Sequence, residues 1–147
     1  MNDQKIYQEL GKLLWSIMDH DAQIFFCDGY IYPEITSYSF SWIDFNGQEK
    51  WFDFDDIRNN AGDEVTDLIK TLSKNKIFKE KWSHYRISLT NEAKFNIQFF
   101  YIPEEDHWPG LYSRGISDLT EEEAENIYYV PKELWEERVK LKRQQQS

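Results

Sequence analysis

Asp53, Asp55 and Asp56 form a D-x-D-D run, a set of hard oxygen donors that could in principle hold a divalent cation. An EF-hand loop, however, needs Gly at position six and a bidentate Glu at position twelve. Counted from Asp53, Arg58 stands at position six and Glu64 at twelve, so the central turn is wrong. His20, His84 and His107 are each isolated, without a second His or Cys at metal spacing. No cofactor or metal is expected. The one cysteine, Cys27, lies in the apolar run Ile24-Phe25-Phe26-Cys27 and reads as a small packed hydrophobe, not a nucleophile. Paired carboxylates can hydrolyse glycosides, but with 27 acidic residues such pairs arise by chance. The glycines are isolated, and no G-x-S-x-G, P-loop or dinucleotide fingerprint occurs. Nothing in the sequence speaks for catalysis.

What remains is surface chemistry. Glu104, Glu105 and Asp106 precede His107 and Trp108, and Asp118, Glu121, Glu122, Glu123 and Glu125 follow. Aromatic anchors within complementary charge are typical of protein interfaces. The same residues could instead form a solvated loop, with Trp108 and Tyr112 tucked back onto a sheet.

Charge narrows the choice of partner. The net charge is −10, yet residues 132–147 hold five basic side chains against three acidic ones, leaving −12 on residues 1–131. So acidic a body repels phosphate backbones, which argues against nucleic acid as a ligand. It would draw in a basic protein and speed its capture, although acidity also serves solubility alone. No run of 18 apolar residues exists, so no membrane span is expected. The first residues lead into no signal-peptide core, and the expected location is the cytoplasm.

The elements that must position these residues fit one domain over 1–147. Asp3 is the expected N-cap of a first helix, with Ile6, Leu10, Leu13, Leu14 and Ile17 on one face. Strands are expected over 22–32, 38–45 and 48–54, the last two joined at Asn46-Gly47. A two-residue turn there would set Trp42 against Trp51 and Phe40 against Asp53. Asp44 would then oppose Glu49, which leaves a longer, bulged turn open. Aromatics on both faces of this hairpin leave its core side undecided. A second helix spans 63–74, with 75–81 as a link. The clearest alternation follows: Tyr85, Ile87 and Leu89 against Arg86, Ser88 and Thr90, then Phe95, Ile97, Phe99 and Tyr101 against Lys94, Asn96 and Gln98. A loop from Pro103 to Asp118 leads to a capping box, Thr120 with Glu123, on a short helix. Pro131 opens a C-terminal helix over about 131–147 with a frayed end. The sum is an α+β fold: a meander-like antiparallel sheet of about five strands, helices on one face and the other uncovered.

The hairpin reads W-S-x-x-x-I-S-L-x-x-x-x-K-F-x-I-x-F-x-Y from Trp82 to Tyr101. It resembles the YezG-type antitoxin or immunity proteins of bacteria. Ile6-Tyr7-Gln8-Glu9-Leu10 is similar to that family's opening helix, the middle is less similar, and the tail after Pro103 departs most. The resemblance implies a non-enzymatic immunity protein that neutralises a cognate toxin, delivered by a secretion or contact-dependent system. Its partner would be a basic C-terminal toxin domain of the nuclease class. Asp53, Asp55, Glu104, Glu105, Asp106, Trp108, Asp118 and Glu122 are the expected contacts. The alternatives are a small acidic enzyme or a housekeeping adaptor.

Overall fold

The computed structural model describes residues 2–74 and 81–146; the expected link over 75–81 therefore lies, but for Lys81, outside the described residues. Five antiparallel strands form one open sheet: β1 (Ala22–Ile31), β2 (Thr36–Asp44), β3 (Glu49–Trp51), β4 (His84–Thr90) and β5 (Phe95–Phe100). Their order is β3-β2-β1-β4-β5, so two hairpins flank a central β1. Three helices accompany them: α1 (Asp3–Ile17), α2 (Ala61–Ser73) and α3 (Lys132–Gln146). The class is α+β, as expected.

Asn2, not Asp3, caps α1, its Oδ1 accepting from Lys5 N at 2.9 Å. One residue earlier, Asn is an equally good cap. Helix α2 begins at Ala61 and carries Asp63 and Glu64 in its first turn, where the helix dipole favours acids. Ile6, Leu10 and Leu14 of α1 and Val65, Ile69 and Leu72 of α2 are fully buried. They meet Phe25, Cys27, Phe40, Trp42, Tyr85, Ile87 and Leu89 from one face of the sheet. Period 3.6 on the helices and period 2 on the strands thus converge on one core.

The β2–β3 turn corrects the two-residue expectation. Asp44 N donates to Gln48 O at 2.9 Å, and Gly47 N to Asp44 O at 3.0 Å. Three residues lie between the paired ends, with Gly47 left-handed at φ +79°, as a type I turn with a glycine bulge requires. The Asp44 carboxylate holds this form, accepting from Asn46 N and Gln48 N at 2.9 Å each. Trp51 therefore pairs with Ser41, and Lys50, not Trp51, pairs with Trp42. A one-residue slip exchanges the faces. Phe52 joins the ring cluster of Phe25, Phe40 and Trp42 at 5.1–5.9 Å, and Trp51 turns outward. The third strand is also shorter than expected and stops at Trp51.

The far face is not wholly uncovered. Residues 103–146 build a small second cluster from Leu111, Ile116, Leu119, Ala124 and Val130, with Trp108, Tyr128, Leu134 and Trp135 against it. The expected 103–118 loop contains two 3-10 turns, Glu104–Asp106 and Ile116–Asp118. The capping box forms: Thr120 N donates to Glu123 Oε1 at 3.0 Å and Glu123 N to Thr120 Oγ1 at 3.1 Å. It opens a π-helical turn, Glu123–Ile127. Helix α3 belongs to this cluster, so the expectation of helices on one face holds for α1 and α2 only.

Candidate partner-binding surface

The register places every side chain of the far face. One row across the sheet is Trp51, Ser41, Phe26, Ser88 and Asn96; the next is Ser39, Asp28, Arg86 and Gln98. Beyond them lie Ser37, Tyr30, His84 and Phe100, the row under the C-terminal segment. There His107 packs edge-on to Tyr30 at 4.2 Å, and Tyr112 OH lies 3.2 Å from Ser37 Oγ.

His84 is fully buried, its Nδ1 2.8 Å from Ser83 Oγ. Among the described residues no hydrogen bond of good geometry reaches the buried His84 Nε2 or either ring nitrogen of His107, although the Leu111 backbone lies close enough to His84 to favour its charged form slightly. Burial, then the neighbouring His107, pushes the His84 pKa down to about 4, and burial lowers that of His107 as well. Both rings are therefore neutral packing groups at pH 7. A surface or packed structural histidine is what their isolation in the sequence suggests; the particular packing joins segments far apart in the chain, at Tyr30, His84 and His107.

In the open middle of this face Arg86 lies over the Phe26 ring at 3.8 Å. Its Nε stands 3.3 Å from Asp28 Oδ1, out of line for a hydrogen bond. Burial raises the Asp28 carboxyl to about 6; Arg86 opposes that rise and Glu49 adds to it. Asp28 was not among the expected site residues. Its only sequence signal is an acid at an alternating strand position.

The structure divides the expected contact residues sharply. Asp106 is 6% exposed. Its Oδ1 accepts from Ser117 N at 3.0 Å and Arg138 Nε at 3.2 Å, and its Oδ2 from Ser117 Oγ at 2.6 Å. A Cβ on Gly115 would overlap this carboxylate, which is why that position is glycine. Trp108 is half-buried against the second cluster and donates Nε1 to Tyr128 O at 2.8 Å. Asp118 accepts from Gly115 N at 2.8 Å and pairs with Lys142 of α3. These three hold the C-terminal segment together. Glu104, Glu105 and Glu122 are exposed, and no hydrogen bond or ion pair engages their side chains among the described residues.

Asp53 and Asp55 lie elsewhere, on a knuckle after β3. Asn59 Nδ2 donates to Asp53 O at 2.9 Å, and Asp56 N donates to the same oxygen at 3.0 Å. Asp56 turns inward onto Arg58, whose Nη2 it accepts at 2.7 Å. Arg58 in turn lies over Phe52 at 4.2 Å and pairs with Asp19 at 3.0 Å. The knuckle's base is thus fixed to the core. At its tip Phe54 is fully exposed, and Trp51 and Ile57, on either side of it in the chain, are more than half exposed. Asp53 and Asp55 are exposed on either side of Phe54 in the chain and have no ion-pair partner among the described residues. Among the described residues no three His, Cys, Asp or Glu are grouped to hold a metal.

Chemically, the knuckle is a rigid apolar tip in negative charge, suited to a partner with an apolar recess rimmed by cations. No protein-family model matches the chain, and a search of curated proteins finds no match either.

Proposed function

We propose that the protein is a stoichiometric immunity protein that binds and neutralises a basic toxin domain of the nuclease class. The observation that carries this reading is Phe54, fully exposed between two carboxylates that no cation among the described residues neutralises. A monomer exposing large rings on a braced turn gains nothing in stability from them; a partner that buries them does. A nuclease needs a basic cleft for phosphates, and a surface of this charge steers such a cleft toward itself at up to ~10⁸–10⁹ M⁻¹s⁻¹ at low salt. The hairpin resemblance points the same way. Glu104, Glu105 and Glu122 extend the acidic field, and Asp53, Asp55, Phe54 and Trp51 form the contact.

The test is co-expression with the product of the gene immediately upstream, followed by titration of the toxin's activity. Inhibition that saturates at one-to-one supports the reading. Turnover of a substrate by this protein alone, with no effect on the toxin, overturns it. One observation favours a second reading, a small enzyme: Asp28, held near neutrality beside Arg86, is the kind of carboxyl used for acid–base chemistry.

A further inference from the structure

A cavity of about 370 Å³ opens between the π-helical turn and α3. Tyr129 and Trp135 supply rings, Glu121 and Glu125 carboxylates, and Ala124 and Val130 apolar surface. The remaining lining residue, Lys132, lies 3.9 Å from Glu136 one turn along α3. No ion pair engages Glu121 or Glu125 among the described residues.

The walls are fixed before anything enters. Trp135 Nε1 donates to Leu119 O at 2.9 Å. Tyr128 N donates to Glu123 O at 3.0 Å and Val130 N to Ala124 O at 2.7 Å, closing the turn on both sides of Tyr129. Tyr129 itself is left-handed at φ +55° and three-quarters exposed.

The rest of the molecule shows what such a set of groups holds. Arg58 lies over Phe52 and pairs with Asp56; Arg86 lies over Phe26 beside Asp28. In the same turn as the cavity, Arg114 lies over Tyr128 at 5.6 Å and pairs with Glu123 at 2.9 Å. Each of these guanidinium groups has a ring against it and a carboxylate within ion-pair distance, as its flat, weakly hydrated shape favours. The cavity repeats the ring-and-carboxylate half of that arrangement, and no arginine lines it.

We infer that this cavity receives an arginine side chain of the protein partner, its guanidinium against Tyr129 and Trp135 and its charge met by Glu121 and Glu125. This rests on the reading that the partner is a basic protein. Its chemistry can still be tested on the isolated chain.

The experiment titrates butylguanidinium, and separately the neutral butylurea, into the full chain while following the indole N–H resonance of Trp135. A Trp135→Phe variant assigns that signal. The expected result is saturable binding of the cation in the millimolar range and none of the urea. Glu121→Gln/Glu125→Gln should weaken it by roughly tenfold or more, and Lys132→Gln should strengthen it. Equal shifts with butylurea, unchanged binding by the double glutamine variant, or no shift with butylguanidinium would each overturn the inference. If the toxin is neutralised one-to-one yet the double variant binds it as the wild type does, the arginine site fails and the immunity reading stands. If butylguanidinium binds as expected but no toxin is inhibited, the site survives and the immunity reading falls.

Discussion

The 51–57 knuckle and the 104–118 segment carry the same sequence signal, aromatics beside clustered acids, and the fold uses them in opposite ways. In the second segment Asp106 and Asp118 meet cations of the chain itself, Arg138 and Lys142 of α3. Trp108 spends its one donor on Tyr128 O. In the knuckle, among the described residues, only Asp56 has a cation, Arg58, and that pair braces the turn from behind. Asp53, Asp55 and Phe54 are left facing solvent. An acid beside a ring is thus a candidate contact only where the fold has not already supplied it with a positive charge.

The largest expected effect breaks the comparison at its inward side. Asp106→Ala strands Arg138 and removes three accepted hydrogen bonds. It should cost about 3–5 kcal/mol, the range for removing one partner of a buried pair, read as a drop in the denaturant midpoint. The matching Asp53→Ala and Asp55→Ala variants should stay within about 0.5 kcal/mol of wild type. Similar losses in both regions would erase the distinction.

Stability against pH sharpens the account of the sheet's far face. The pKa of His84 is lowered on folding, from 6.5 to about 4. Its share of the stability is complete above pH 6.5 and is lost as the pH falls toward 4. His107 acts in the same direction. Asp28 is raised on folding, from 3.8 to about 6, so its burial costs stability at neutral pH and that cost is relieved as the pH falls from 6 to 3.8. The His84 and Asp28 shifts are each worth about 3 kcal/mol and oppose one another. Asp28 should therefore offset much of the His84 loss between pH 6.5 and 4, and wild type should lose stability only modestly over that range. Asp28→Asn should lose stability steadily over that window in denaturant titrations. A flat profile for the variant would mean that His84 is not held neutral by burial.

Smaller effects fall on binding. Phe54→Ala should cost at least about 2 kcal/mol of affinity for the partner, as truncating an interface anchor does, with little change in unfolding midpoint. Glu104→Lys/Glu105→Lys should slow association by less than charge reversal on the knuckle, since those acids add to the field without flanking an exposed ring. Equilibrium titration and stopped-flow association check the two in turn.

Much of this was legible in the sequence. Period-two alternation located β4 and β5 within a residue or so, because each places one apolar face on a core. The α1 stripe of Ile6, Leu10 and Leu14 was equally plain. The β2–β3 register was not: Asn-Gly suits both a two-residue turn and a bulged one, and the choice lies with the Asp44 carboxylate binding Asn46 N and Gln48 N. That single residue of slip decides that Trp51 faces outward. Asp53 and Asp55 were picked out by type, but the importance of Phe54 between them was missed, since alternation assigned it to a strand. The inward role of Asp106 depends on Arg138, 32 residues away in sequence, a distance no local pattern spans.

The central claim is that the knuckle, not the 104–118 segment, makes the electrostatic and aromatic contact with a basic toxin. Association kinetics of Asp53→Lys/Asp55→Lys with the co-purified toxin, measured across a salt series, test it most directly. The account predicts slower association at low salt and a flatter salt dependence than wild type. An unchanged rate and an unchanged salt slope would contradict it.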